Sequence, residues 1–278
     1  MEKAEIRKES VIDRLSDRRI GILLYLFCFL MMTVMGGVLS ISYILDETGT
    51  VANAAFLAGY NWHGWVTNTG GYFYKYGQAP FYAWIFRLVD NPYLIYKLMM
   101  VVNGAFVAWV PVIAYTVCRK HLGQQDKLKC ILAALLLTFV PATILYSLFA
   151  RADVMLIAFA WITLYVMLQA ADQTEKRKQI LYSALVAFVS VYMYMCHARG
   201  IVFVIAVGMV MAAWRFLVKE KRICFSSYLV SLIIWMLVDK RLTRFFKSSI
   251  WGSGAKKNTV ENMNYDKYQN LLTVDGIK

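Results

Sequence analysis

The chain has 278 residues, is 60% hydrophobic, carries a formal net charge of +13 and has a mean hydropathy of +0.52. A soluble protein of this length needs more polar surface to cover its cores, so the composition argues against a soluble globular fold. The basic residues sit in short clusters between apolar runs, which argues against a nucleic-acid surface and marks membrane topology instead.

Residues 1–19 form a basic leading segment. The first apolar run, 20–45, is longer than a signal peptide's. Polar Asp46-Glu47 follows it instead of a small-residue cleavage site, so it reads as a retained anchor. Residues 46–91 form a long polar and aromatic segment. It opens with Asp46-Glu47-Thr48-Gly49, continues with Gly59-Tyr60-Asn61-Trp62-His63-Gly64-Trp65, and then carries an aromatic run through Tyr74, Lys75, Tyr76 and Tyr82. Within it, residues 79–89 are apolar but too short to span, and are expected to lie in the interface or re-enter the membrane. Further spans are expected at 92–117, 128–146, 154–171, 180–196, 201–217 and 223–238. Apolar runs of about 18 to 25 residues suit a crossing helix, and they lack the alternation of a barrel. Residues 239–278 are polar and read as a loop outside the membrane. The expected fold is therefore all-α, a polytopic membrane helix bundle of about seven transmembrane helices. Small residues Gly36, Gly37, Gly104, Ala108 and Gly208 would let helices approach closely.

With the N-terminus in the cytoplasm, seventeen Lys and Arg lie on the inner side and four (Lys75, Arg87, Arg151, Arg199) on the outer side up to residue 238. That asymmetry sets the orientation. The last segment runs against it, with Lys240, Arg241, Arg244 and Lys247 on the expected outer face. The five cysteines (Cys28, Cys118, Cys130, Cys196, Cys224) lie in or beside spans without CxxC spacing, so no disulfide and no structural metal are expected. No internal repeat is visible.

Three polar clusters fall on the outer face. Asp46 and Glu47 stand at the mouth of the bundle, where carboxylates are costly and tend to be functional. Asp46 could take a proton from an attacking hydroxyl or amine, or hold a divalent metal through oxygen, although no DxD or His cluster builds a metal site. Glu47 reads equally well as a solvated helix end. Arg151-Ala152-Asp153 is either a local ion pair or an acid facing Asp46 with Arg151 beside a phosphate. In His197-Ala198-Arg199-Gly200, Arg199 suits phosphate, while His197 reads as a structural or interfacial histidine. The aromatic residues of the first outer segment are either an interfacial belt or a platform for sugar rings, the belt being the simpler account.

These residues carry a family resemblance. Leu45-Asp46-Glu47-Thr48 resembles the acidic motif in the first outer loop of multispanning, lipid-phosphate-dependent glycosyltransferases of the GT-C fold, such as protein O-mannosyltransferases and bacterial aminoarabinose transferases. Tyr76-Gly77-Gln78-Ala79-Pro80-Phe81-Tyr82, followed by Tyr96-Lys97-Leu98, is similar to that family's Tyr-Pro-Pro-Leu-Tyr region, with Gln78-Ala79-Pro80 in place of Pro-Pro. Arg151-Ala152-Asp153 and His197-Ala198-Arg199-Gly200 resemble its later acidic turn and its basic residue before a span. The resemblance covers most of residues 20–237. It implies short interfacial helices in the first outer loop, a lateral lipid-facing groove, a polyprenyl-phosphate sugar donor and inverting transfer to a lipid, glycan or protein acceptor. Asp46 would be the catalytic or acceptor-binding acid and Asp153 a secondary acid. Lys75, Arg151 and Arg199 would be phosphate contacts, and Glu47, Tyr76 and His197 substrate-binding neighbours. Family members have more spans and often a C-terminal outer domain, so the chain would correspond to an N-terminal portion in a bacterial plasma membrane, or need a partner membrane chain. Two other functions compete. A transporter or flippase for a lipid-linked sugar predicts ionisable groups deep in spans and repeat symmetry. A non-catalytic assembly protein predicts a stable complex without turnover.

Overall fold

The computed structural model describes residues 11–38, 47–60 and 75–251. Asp46 and the aromatic stretch 61–74 lie outside the described residues. The regular elements among the described residues are all helices.

A single turn, α1 (Val11–Arg14), leads into α2 (Asp17–Val38). Helix α2 buries Ile20, Leu24, Cys28, Met32 and Gly36, a stripe at four-residue spacing. Its opposite face carries Ile22, Leu23, Leu26, Phe27 and Leu30, all exposed. A helix apolar all round, with only one face covered by protein, is what a membrane span requires.

Two short helices follow, α3 (Thr48–Ala58) and α4 (Ala79–Leu88), which pack against each other. Arg87 donates to the Leu57 carbonyl at 3.0 Å and Tyr60 to the Phe86 carbonyl at 3.4 Å. Both are too short to span, as expected for residues 79–89.

Asn91 then caps α5 (Pro92–Val107), accepting from the Tyr93 and Leu94 amides at 2.9 and 3.2 Å, with Pro92 in the first turn. Helix α6 (Trp109–Thr116) continues its line and ends in a π turn, Val117–His121. Together they make an apolar rod of 30 residues, Pro92–His121. Helices α2 and α5 meet at small residues. A Cβ added at Gly36 would lie 3.0 Å from Met100, and one at Gly104 would lie 3.1 Å from Met32. A Cβ added at Gly208 would likewise lie 3.3 Å from the Tyr228 hydroxyl, and Ala108 is fully buried. A Cβ added at Gly37 would meet nothing within 4 Å, so no helix packs closely on that side of it. Lys97 donates to the Gly36 and Gly37 carbonyls at 2.6 and 3.2 Å, satisfying the C-terminal part of α2.

The span expected at 128–146 is two helices, α7 (Lys127–Thr138) and α8 (Pro141–Ser147), bent by 58°. Pro141 cannot donate to the preceding turn and pushes Val140 to extended backbone (φ −58, ψ 133). The remaining helices are α9 (Ala152–Asp172), α10 (Lys176–Cys196), α11 (Gly200–Phe216) and α12 (Phe225–Trp251).

Among the described residues, four helices have the length and composition to cross a membrane, or five if the bent pair is one span. The expected count of seven is not reached. Helix α11 has 17 residues, and the apolar run of α12 is interrupted by Asp239-Lys240-Arg241. The loop expected after residue 238 also begins as helix, since α12 runs on to Trp251. Charged residues do not break a helix when one face stays covered. Asp239 and Phe246 are buried while Lys240, Arg241 and Arg244 are exposed.

The polar residues sort to two ends of the bundle. At one end Tyr115 and Arg119 contact Asp17 at 2.6 and 3.3 Å, Lys120 contacts Asp172 at 2.5 Å, and Lys127 donates to the Leu15 carbonyl at 2.7 Å. The other end holds Glu47, Lys75, Arg151, Asp153 and Arg199. Tyr82 donates to Asn103 beneath that end, and Asn103 donates to the Phe149 carbonyl at 2.8 Å.

Candidate functional site

Asp153 sits in the first turn of α9, where unpaired backbone N–H groups favour a carboxylate. Arg151 precedes the helix in extended conformation (φ −101, ψ 155) and places its Nε 3.2 Å from Asp153 Oδ2. Arg199 comes from the turn between α10 and α11 and places Nη1 3.4 Å from Asp153 Oδ1. The Arg199 side chain is 68% exposed, against 12% for Asp153. One carboxylate is therefore bracketed by two guanidinium groups, one of them facing out. The Arg151 guanidinium also lies 5.6 Å from the centre of the Tyr146 ring.

The turn that presents Arg199 is tightly built. His197 Nδ1 accepts from the Arg199 amide at 2.9 Å, and the His197 carbonyl accepts from the Gly200 amide at 2.8 Å. Gly200 lies directly on the preceding turn of α10. An added Cβ would come within 2.5 Å of Met193 backbone, so only glycine fits there. His197 is buried and shapes this turn.

Glu47 is fully buried and is not a solvated helix end. Its carboxylate accepts from the Tyr96 hydroxyl at 2.7 Å and from the Ala150 amide, which joins the start of α3 to α5 and to the turn before α9. A carboxylate this deep needs charge-stabilising donors, and these two supply them. Gln78 is also fully buried and donates to the Arg151 carbonyl at 2.6 Å. The residue that departs from the Pro-Pro pattern thus steadies the backbone of Arg151.

Lys75 and Tyr76 face a different partner. Lys75 Nζ lies 2.8 Å from Asp239 Oδ2 and 3.2 Å from the centre of the Tyr194 ring. Tyr76 donates to Asp239 Oδ1 at 3.2 Å and stacks on Phe246 at 4.9 Å. Burial pushes the Tyr76 phenol well above its ordinary pKa, and the neighbouring Asp239 carboxylate adds to this. Asp239, unremarked in the sequence as the first charge after an apolar run, is the anchor of this second cluster. Gly77 lies between the clusters and donates to the Met195 carbonyl at 2.8 Å, while Tyr192 donates to the Gly77 carbonyl at 2.7 Å.

The same end of the bundle thus holds Glu47, Gln78, Arg151, Asp153 and Arg199 in one connected set, and Lys75, Tyr76 and Asp239 in another. Asp46, the residue before Glu47, lies outside the described residues. Among the described residues, no three of His, Cys, Asp and Glu gather as a metal-binding group. The arrangement can hold an anionic group at Arg199, with Asp153 fixing the direction of the guanidinium. No family model, curated protein or solved structure matches this chain.

Proposed function

We propose that the chain is a membrane-embedded glycosyltransferase that moves a sugar from a polyprenyl-phosphate donor to a lipid, glycan or protein acceptor. The observation that supports this reading best is Asp153 held between Arg151 and Arg199, with Arg199 turned outward at the end that also buries Glu47. The donor phosphate rests on Arg199. An acceptor oxygen or nitrogen attacks the anomeric carbon, and the bond from that carbon to the phosphate oxygen breaks. The electron pair leaves with the lipid phosphate, whose charge Arg199 stabilises. Asp46 takes the acceptor's proton. Lys75, engaged with Asp239, holds α12 in place, so the phosphate contact falls to Arg199 and Arg151.

In this reading the N-terminus is cytoplasmic, and α11 and the apolar part of α12 cross as well, making seven spans. Their outward residues support it: Val202, Ile205 and Met209 on α11, and Val230, Ile233, Ile234 and Leu237 on α12, are all exposed.

The test is sugar release from a panel of polyprenyl-phosphate sugars by the purified protein in detergent. Release by the wild type that vanishes in Asp46→Asn is the expected result. Undiminished release by Asp46→Asn would sink the assigned role, and no donor binding at all would sink the reading. Uptake of labelled lipid-linked sugar into proteoliposomes, without release, would select the flippase alternative instead.

A further inference from the structure

At the end of the bundle remote from Asp153, α2 and α6 leave a groove of about 710 Å³. Ile22, Tyr25, Leu26, Trp109 and Val112 form its walls. Asp17, Arg18, Arg119 and Lys120 stand at its mouth. The Tyr25 ring meets Trp109 edge-on at 5.2 Å, and its hydroxyl donates to the Ala105 carbonyl at 3.3 Å, which fixes the inner wall. Ile22, Leu26 and Trp109 each remain about half exposed, so the groove opens sideways, toward whatever surrounds the helices.

The mouth is set by the π turn Val117–His121, which carries consecutive Arg119, Lys120 and His121 past the end of α6. Arg119 is pinned, contacting Asp17 at 3.3 Å and donating to the Gln124 and Gln125 carbonyls at 2.7 and 2.8 Å. Tyr115 donates to Asp17 at 2.6 Å, and Lys120 pairs with Asp172 at 2.5 Å while remaining half exposed. The Arg18 side chain is exposed and makes no ion pair or hydrogen bond among the described residues. Three cations therefore face two carboxylates above an apolar, aromatic slot.

We propose that this groove holds one anionic phospholipid of the surrounding leaflet. Its phosphodiester sits against Arg18 and Lys120, and one acyl chain lies along Ile22, Tyr25, Leu26 and Trp109. A free phosphate would use the rim and leave the apolar wall bare. A zwitterionic lipid would bring its own cation against Arg18. Only an amphiphile with net negative charge at its head satisfies both parts, as in other basic pockets between membrane helices. The assignment does not rest on the proposed transfer reaction, which lies at the opposite end.

The experiment is native mass spectrometry of the full chain in a neutral detergent. It is titrated with phosphatidylglycerol, with phosphatidylcholine of the same acyl chains, and with free glycerol 3-phosphate. One phosphatidylglycerol retained per chain, about tenfold more tightly than phosphatidylcholine and not displaced by equimolar glycerol 3-phosphate, is the expected result. Arg18→Gln should weaken phosphatidylglycerol about fivefold and leave phosphatidylcholine unchanged. Leu26→Trp, which fills the slot without touching charge, should abolish retention. Equal retention of the two lipids, or both variants binding as the wild type does, overturns the proposal. Displacement by glycerol 3-phosphate also overturns it, assigning the rim to a soluble phosphate. Should a variant fail to fold, the lipid and glycerol 3-phosphate competition on the wild type decides alone.

Discussion

Lys75 Nζ and Asp239 Oδ2 stand 2.8 Å apart across 164 residues of chain, and the side chains are only 12% and 6% exposed. The pair ties the segment before α4 to α12, and Tyr76, Thr243 and Tyr194 are among its neighbours. Removing one member leaves a buried charge without its counter-ion. Asp239→Asn is therefore expected to lower unfolding stability by about 3 kcal/mol. Lys75→Met with Asp239→Leu should lose less than either single change, because no lone charge remains. Denaturant titration in detergent measures this, and a double variant worse than both singles would contradict it.

Gly77 tests how closely backbones meet. A Cβ there would come within 2.6 Å of Met195 and Cys196 backbone, whereas one at Gly37 would meet nothing within 4 Å. Gly77→Ala should cost roughly 1–3 kcal/mol through overpacking, and Gly37→Ala should be neutral or slightly stabilising. Comparing their thermal midpoints separates a packing glycine from a tolerated one.

Arg199 separates stability from activity. Its side chain is 68% exposed and paired on one side only with Asp153, so Arg199→Gln should change stability by about 0.5 kcal/mol or less. Under the proposed function, sugar release should fall about 10- to 100-fold as a charge-assisted phosphate contact is lost. Arg199→Lys should recover part of the rate, since it keeps charge but not the fork. Equal rates in all three proteins would move the phosphate elsewhere.

The turn between α11 and α12 gives a pH prediction. Arg222 donates to both Glu220 oxygens, at 2.9 and 2.8 Å. These bonds pull the Glu220 carboxyl down from 4.5 to about 2. Because the folded value is depressed, the contribution is full above pH 4.5 and is lost as pH falls through about 2. A carbon-13 carboxyl titration should show Glu220 ionised at pH 3, and Arg222→Gln should return its midpoint toward 4.5.

The helices and their two polar ends were readable because lipid leaves the chain few options. Long apolar runs bounded by charge must be helices. The number of spans was not readable in the same way. Residues 128–146 look uniform by hydropathy, yet Pro141 splits them, and the apolar run of α12 ends at Asp239 while its helix continues. Of the polar clusters, Arg151, Asp153 and Arg199 stood out because they flank helix ends on one side of the topology. The burial of Glu47 could not be read. One of its donors, Ala150, acts through its backbone N–H, which leaves no mark on side-chain identity, and the other, Tyr96, lies within an apolar run. Asp239 was hidden for the opposite reason, a single acid at the head of a basic stretch.

The tethering of Glu47 has a consequence for biogenesis. Its two donors, Tyr96 and Ala150, follow it by 49 and 103 residues. At a synthesis rate of about 5–20 residues per second, the carboxylate waits roughly 5–20 seconds for its second donor to be made. Tyr96 and the helix α4 against which α3 packs are made earlier, so the first loop can dock in part before the Ala150 amide arrives. The bond from Ala150 is then the step that ties this loop to the turn before α9, and it can close only after α8 has been made.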